Sequence, residues 1–256
     1  MPAKKKNIIW KSLLFIVVIA LLAIGFVYGY EYWRLRKAHF VHYAQFGIAM
    51  PVDYSVHGID VSRYQDIIDW EEAKQMKVDS IHLSFAFIKA TEGLDNTDGN
   101  FKRNWKRSKD AGFIRGAYHF FIAGKSGREQ AEHFIDEVDL RKGDLPPVLD
   151  VEQTYNYPAD KLIESLQSWL KITEEYYHAK PIIYTNIDFY NKYLKGKLDG
   201  YPLWVAHYLQ PSKPRIERDW WFWQHSQTGH VNGVPRNVDF NVFNGDSAAF
   251  ASVLIR

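Results

Sequence analysis

Hydrophobic positions along this chain fall into two regimes. Residues 12–30 form a run of 19 without a charge, whereas beyond residue 55 short apolar runs alternate with amphipathic stretches and polar turns. At about 1.5 Å rise per residue the first run predicts a helix about 28 Å long, the hydrocarbon thickness of a bilayer. The second regime predicts strands at 56–61, 80–88, 114–120, 147–151, 182–184, 203–206, 221–224 and 238–240. Helices are expected in the first five gaps, at 69–76, 101–111, from Ser126, after Pro158 and at 187–194. Asp69 with Glu72 and Ser126 with Glu129 have capping spacing, Gly112 suits a helix end, and Leu162, Ile163, Leu166, Trp169 and Leu170 recur at helical period. The last gaps, 210–219 and 226–237, are too polar and too broken by Pro and Gly for good helices.

Alternating strand and helix argues for a parallel sheet, and eight strands in about 200 residues argue for closure into a barrel. The expected fold is α/β, an irregular TIM-like barrel with eight strands and about five helices, preceded by one N-terminal transmembrane helix. The expected division is a tail, transmembrane signal-anchor and basic flank over 1–37, a stalk over 38–55 without clear periodicity, and a barrel over 56–256.

Charge sharpens this division. The net charge of +2 joins unlike parts: residues 1–37 hold seven Lys/Arg (Lys4, Lys5, Lys6, Lys11, Arg34, Arg36, Lys37) against Glu31, so the remainder carries −4. The basic character belongs to the apolar segment's flanks, which removes the support for a nucleic-acid partner. The lysines before the span place the N-terminus inside and everything after Lys37 outside the cytoplasm, as a single-pass membrane protein. Trp10 and the Tyr28, Tyr30 and Trp33 cluster suit the two interfaces. A cleaved secretion signal is the alternative, opposed by bulky Phe26 after Ala23-Ile24-Gly25. The absence of Cys neither supports nor opposes export.

In such a barrel the active site lies at the C-terminal strand ends. Asp60 ends the first strand, Asp150 and Glu152 end the fourth, and Asp239 lies in the eighth. Asp150 and Glu152, two apart on a strand, point to one face. Crowded carboxylates cannot all ionise cheaply, so one keeps a proton near neutral pH. Glycosidic cleavage needs such a proton donor and a negative group beside the sugar carbon. A hard-cation site is the chemical rival, but no spaced ligand motif accompanies the acids, and no metal or cofactor is expected. Tyr118, Tyr184 and Trp204 are the candidate sugar-stacking aromatics; the other strand aromatics, and His57, His119, His207 and His225, are read as packing.

With these residues assembled, the chain resembles the glycoside hydrolase family 25 lysozymes, the cellosyl- and Chalaropsis-type N-acetylmuramidases. The matching elements, in order, are Gly58-Ile59-Asp60-Val61-Ser62 with Gln65, Phe87-Ile88-Lys89-Ala90-Thr91-Glu92-Gly93, Gly116-Ala117-Tyr118-His119-Phe120, Leu149-Asp150-Val151-Glu152, Ile183-Tyr184-Thr185-Asn186 and Val238-Asp239-Phe240-Asn241. The resemblance implies a barrel of eight strands and five helices that cleaves the β-1,4 bond between N-acetylmuramic acid and N-acetylglucosamine in peptidoglycan. It implies that Glu152 is the proton donor, that Asp150 holds the 2-acetamido group or stabilises the developing cation, and that Asp60 and Asp239 complete an acidic floor. Glu92 is a further substrate-binding candidate, with pairing to Lys89 as its alternative. Asp66, after Gln65, departs from the small Gly or Pro common there, and residues 94–98 lack the usual aromatic. The expected partners are peptidoglycan glycan strands and, through the N-terminal helix, a membrane; a monomer is expected. Hydrolysis of another 2-acetamido polymer such as chitin, and a silent glycan-binding module, are the alternatives.

Overall fold

The computed structural model describes residues 3–35, 39–210 and 212–256, with the side chains of the first helix described at Trp10 and over 14–30. That helix, α1 (Ala3–Leu35), is one continuous segment of 33 residues. Its described apolar side chains are exposed, Leu14 at 65% and Phe26 at 75%. Among the described residues no helix is long and apolar enough to cross a membrane, so the fold by itself leaves the expected span unestablished. The side chains of Lys4, Lys5, Lys6, Lys11, Glu31, Trp33, Arg34, Arg36 and Lys37 lie outside the described residues.

The second compact unit comprises Phe40–Gln210 and Pro214–Arg256. Its centre is a closed barrel of eight strands: β3 (His57–Val61), β5 (Ile81–Glu92), β7 (Ile114–Phe120), β8 (Val148–Asp150), β9 (Ile182–Asn186), β10 (Leu203–Ala206), β11 (Phe222–Gly229) and β12 (Val238–Phe243). All eight expected strands are present. Two-residue strands β4 (Lys77–Val78) and β6 (Asn96–Thr97) flank β5. Helices α2 (Trp70–Gln75), α3 (Phe101–Asp110), α4 (Gly127–Glu137), α5 (Ala159–Tyr177) and α6 (Ile187–Phe189, continued by a π turn to Leu194) fill the five expected gaps. Asp69 and Ser126 cap α2 and α4 as their spacing suggests, each accepting from the backbone N–H three residues on.

Three features differ from expectation. The stretch 38–55 is not a stalk. Strands β1 (Phe40–Tyr43) and β2 (Ile48–Pro51) form a hairpin whose Phe46 and Met50 are wholly buried against the barrel, Phe46 packing edge-on to Phe240. Two strands of four residues each are too short for the sequence to show a period. Secondly, a seventh helix, α7 (Ser247–Ser252), closes the end of the barrel remote from the acids, inserting Phe250 among Phe85, Phe222 and Phe243. Thirdly, the sheet is not wholly parallel. β12 runs antiparallel to both β11 and β3, because the eight residues between Gly229 and Val238 are too few for a parallel crossover.

Strand alternation divides the apolar residues into two cores. Outward-facing Ala86, Ile88, Leu149 and Val205 pack beneath the helices. Inward-facing Phe85, Phe87, Val148, Ile182, Trp204, Phe222 and Phe243 fill the barrel. This filling demands two glycines. A Cβ on Gly58 would lie 2.5 Å from the Phe85 ring, and one on Gly116 would lie 2.5 Å from the Phe87 ring.

Candidate active site

The same alternation, carried one step further along each strand, turns the apolar filling into a polar layer. Inward Val148 is followed by Asp150, Gly58 by Asp60, Phe87 by Lys89, Gly116 by Tyr118, Ile182 by Tyr184, and Phe222 by Gln224. On β12 the order is reversed, with Phe243 deep in the barrel, then Asn241, then Asp239 at the mouth. Because β12 runs backwards, its first residues reach the end where the other strands finish, and Asp239 pairs directly with Asp60. Asp239 thus lies at the mouth with the other acids, carried there by an antiparallel strand in place of the expected parallel one. Asp60, Asp150, Glu152 and Asp239 all line one cleft of about 300 Å³, together with Tyr64, Lys89, Tyr118, Tyr184, Tyr208 and Gln224.

Asp60 is the fixed point of the layer. Its Oδ2 accepts from Gln224 Nε2 at 2.8 Å and from Asn241 Nδ2 at 2.7 Å. Both amides are oriented by donors on their carbonyl oxygens: Tyr184 Oη donates to Gln224 Oε1 at 2.7 Å, Tyr208 Oη donates to the same atom, and Trp204 Nε1 donates to Asn241 Oδ1 at 2.8 Å. A phenol or indole cannot accept from the amide NH₂ in these positions without leaving a buried donor unpaired, so the chain of donors has one consistent direction, ending on Asp60. Burial raises Asp60 to about 6, opposed by these hydrogen bonds. Asp239, half-buried, is raised to about 9 by burial and by the charge and hydrogen bond of Asp60. The pair therefore holds one proton at neutral pH, on Asp239, with Asp60 ionised.

Asp150 and Glu152 form a second pair. Burial and the charge of Glu152 push Asp150 well up, and burial with the charge of Asp60 raises Glu152. The two are hydrogen-bonded, with the proton on the deeper Asp150 in the open cleft. Glu152 is the more exposed of the two. Asp150 Oδ1 is buried with no hydrogen-bond partner, a costly arrangement unless another donor reaches it.

Among the aromatic candidates, Tyr118 lines the cleft partly exposed. Tyr184 and Trp204 also line it, but they are 7% and 2% exposed, and Trp204 is stacked on Phe87 at 4.3 Å. Neither offers an open ring face; their polar tips hold Gln224 and Asn241. Glu92 lies outside the cleft lining, its carboxylate 2.6 Å from Lys89 Nζ, while Lys89 itself faces the acids. The open aromatic at the rim is Tyr64, 69% exposed. Sequence reasoning missed Tyr64, Tyr208 and Gln224, and left Asn241 only within a motif. Gln224 was within reach, since it lies two residues beyond buried Phe222 on one strand. His57, His119 and His225 are buried on outward strand faces, and burial lowers them to about 4, about 3 and about 3. His119 is bound between Thr91 and Gln130.

A family model described as glycosyl hydrolases family 25 matches residues 59–234. The chain is 38% identical over 218 residues to lysozyme M1 of Streptomyces globisporus, covering 77% of this chain and 71% of that protein. It is 44% identical over 225 residues to the uncharacterized protein YegX of Escherichia coli, covering 87% and 83%. A solved family 25 glycosyl hydrolase from Bacillus anthracis superposes with a TM-score of 0.73 at 33% identity, covering 84% of this chain and 97% of that one.

Proposed function

The chain belongs to the glycosyl hydrolases family 25, and from that premise we propose that it is an N-acetylmuramidase cutting the β-1,4 bond between N-acetylmuramic acid and N-acetylglucosamine in peptidoglycan. The observation that carries this reading is the layer of four carboxylates at one barrel mouth, Asp60 and Asp150 buried and Glu152 and Asp239 half-buried, forming two proton-sharing pairs with raised pKa values. Glu152, the more exposed member of its pair, gives its proton to the glycosidic oxygen as the C1–O bond breaks, and water adds to C1 as its released proton returns to the carboxylate pair. Positive charge developing at C1 favours ionised Asp150, which moves the shared proton towards Glu152 when the donor needs it. The unpartnered Oδ1 of Asp150 supports a role in receiving the N–H of the 2-acetamido group. Asp60, held ionised by two amides, and Asp239 complete the negative floor.

The N-terminal helix acts as a membrane anchor in this proposal, and the barrel works outside the cytoplasm beside its substrate. Support comes from the 19 uncharged residues within one continuous helix and from the lysines before them.

The deciding experiment digests purified peptidoglycan with the detergent-solubilised chain and identifies the products by mass, with chitin oligomers in parallel. New reducing-end N-acetylmuramic acid is expected. Glu152→Gln should lower the rate by at least about 100-fold, the scale of a lost general acid. Cleavage of chitin but not peptidoglycan, or full activity in Glu152→Gln, overturns the reading.

A further inference from the structure

Beside the catalytic cleft runs a second, larger groove of about 900 Å³, lined by Arg63, Tyr64, Gln65, Asp66, His230 and Arg236 with Pro235 and Asn237. It is continuous with the cleft, because Tyr64 and Gln65 line both. Gln65 ties the two walls together. Its Oε1 accepts from Ser62 N at 2.9 Å, and its Nε2 donates to the backbone oxygen of Asn237 at 3.0 Å, two residues before Asp239. The groove therefore opens next to the Asp60 and Asp239 pair.

Its charge is unusual for this domain. The chain beyond residue 37 carries −4, yet the guanidinium groups of Arg63 and Arg236 are exposed, and neither is in an ion pair among the described residues; that of Arg63 lies over the Tyr64 ring at 5.4 Å. Four of the eight other arginines of the barrel are paired with carboxylates: Arg115 with Asp144, Arg128 with Glu132, Arg141 with Asp139 and Arg218 with Asp199. Asp66 adds one carboxylate to the same groove, held there by a backbone φ of +62° that costs conformational energy for a non-glycine residue. Two exposed guanidinium groups outside any ion pair and one carboxylate suit a ligand bearing carboxylates and a primary amine.

We propose that this groove binds the peptide stem of peptidoglycan, with Arg63 and Arg236 taking stem carboxylates and Asp66 taking the amine of the stem's diamino acid. The proposal rests on the muramidase reading, since the stem is carried by the N-acetylmuramic acid that the cleft must hold. A glycan chain seated at the acids directs that substituent sideways, and the groove gives it a place to lie. Guanidinium groups recognise carboxylates in a planar, two-bond geometry that lysine cannot reproduce. The groove then selects peptide-bearing glycan over bare glycan in an enzyme whose barrel, at −4, repels an anionic polymer.

The test compares kcat/KM on peptidoglycan strands with intact stems against strands stripped of stems by an amidase. The paired variant Arg63→Ala with Arg236→Ala should reduce the preference for intact stems by about three- to tenfold, through KM, as expected for two partly solvated charge contacts. Arg128→Ala with Lys171→Ala, equal in charge but on α4 and α5, should leave the preference unchanged. A retained preference in the Arg63 and Arg236 variant, or equal loss in the control, overturns the proposal. A binding arm makes the result independent of turnover: calorimetry of a soluble muropeptide with free stem carboxylates against the Glu152→Gln chain, with and without the two arginine substitutions. Absence of cleavage on both substrates refutes the muramidase reading alone; weaker muropeptide binding on arginine removal still supports the groove, and unchanged binding sinks it.

Discussion

At the scale of single residues, the site is organised around which carboxylate stays ionised. Asp60 and Asp239 are neighbours across β3 and β12, and charge repulsion alone would leave their shared proton on either. Two amide donors break the tie in favour of ionised Asp60, and their orientation is inherited from Tyr184, Tyr208 and Trp204. Tyr184 and Trp204, which the sequence offers as sugar-stacking rings, thus work with Tyr208 as hydrogen-bond donors beneath the cleft surface. Gln224 is accordingly a positioning residue, and a pH profile exposes it. Asp60 titrates at about 6 with both donors in place, so activity that needs its charge falls as pH drops through that value. Removing the Gln224 donor disfavours the ionised form and raises the pKa further. Gln224→Ala should therefore move the acid limb of kcat/KM upward by about one pH unit or more, given about 1.5–3 kcal/mol for a hydrogen bond to a charged group. A limb that stays in place while only the plateau drops assigns Gln224 a merely structural part.

At the scale of elements, period-2 alternation explains both what was legible and what was not. Each barrel strand is marked in the sequence by a short stretch rich in apolar residues, and the acids stand at the strand ends, where the structure sets them two residues beyond the barrel filling: Val148 to Asp150, Gly58 to Asp60. The direction of β12 was also latent, in the short gap before Val238, but it takes the rule on crossover length to extract it. The hairpin β1–β2 and helix α7 were not legible, because their apolar residues are too few for a period and gain meaning only from the surfaces they cover. The aromatic packing inside the barrel likewise makes sense of glycines that sequence alone leaves unexplained. Phe87 occupies the space where a side chain on Gly116 would begin, and the backbone of β7 cannot retreat without losing its pairing to β5 and β8. Gly116→Ala should destabilise the barrel by about 1–3 kcal/mol in urea unfolding. Gly200→Ala, where nothing lies within 4 Å, should be neutral. Equal stability of the two variants contradicts the packing argument.

At the scale of the whole molecule, the chain joins a positively flanked helix to a barrel of net charge −4, and that sum determines how the enzyme meets its substrate. Peptidoglycan is anionic, so an acidic barrel diffusing freely gains no electrostatic capture; the local arginines of the groove act only once contact is made. Under the proposed anchor, tethering replaces capture, because an anchored barrel meets the adjacent wall at an effective concentration set by its linker. The position of the join matters. Phe40 begins the hairpin, whose Phe46 and Met50 are buried in the barrel's core, so the second unit is complete from residue 40 and incomplete from residue 56. A chain starting at residue 40 should be recovered in the soluble fraction, unfold as cooperatively as the barrel of the full chain, and turn over soluble glycan fragments with unchanged kcat/KM. In cells it should lose its advantage on intact wall, while the full chain stays in the membrane pellet through alkaline extraction. Starting at residue 56 instead should cost several kcal/mol, since losing one buried phenylalanine alone costs about 3–5. Recovery of the full-length gene product as a soluble species shortened beyond residue 25 would replace the anchor with a cleaved secretion signal and remove tethering from the account of how this enzyme reaches the wall.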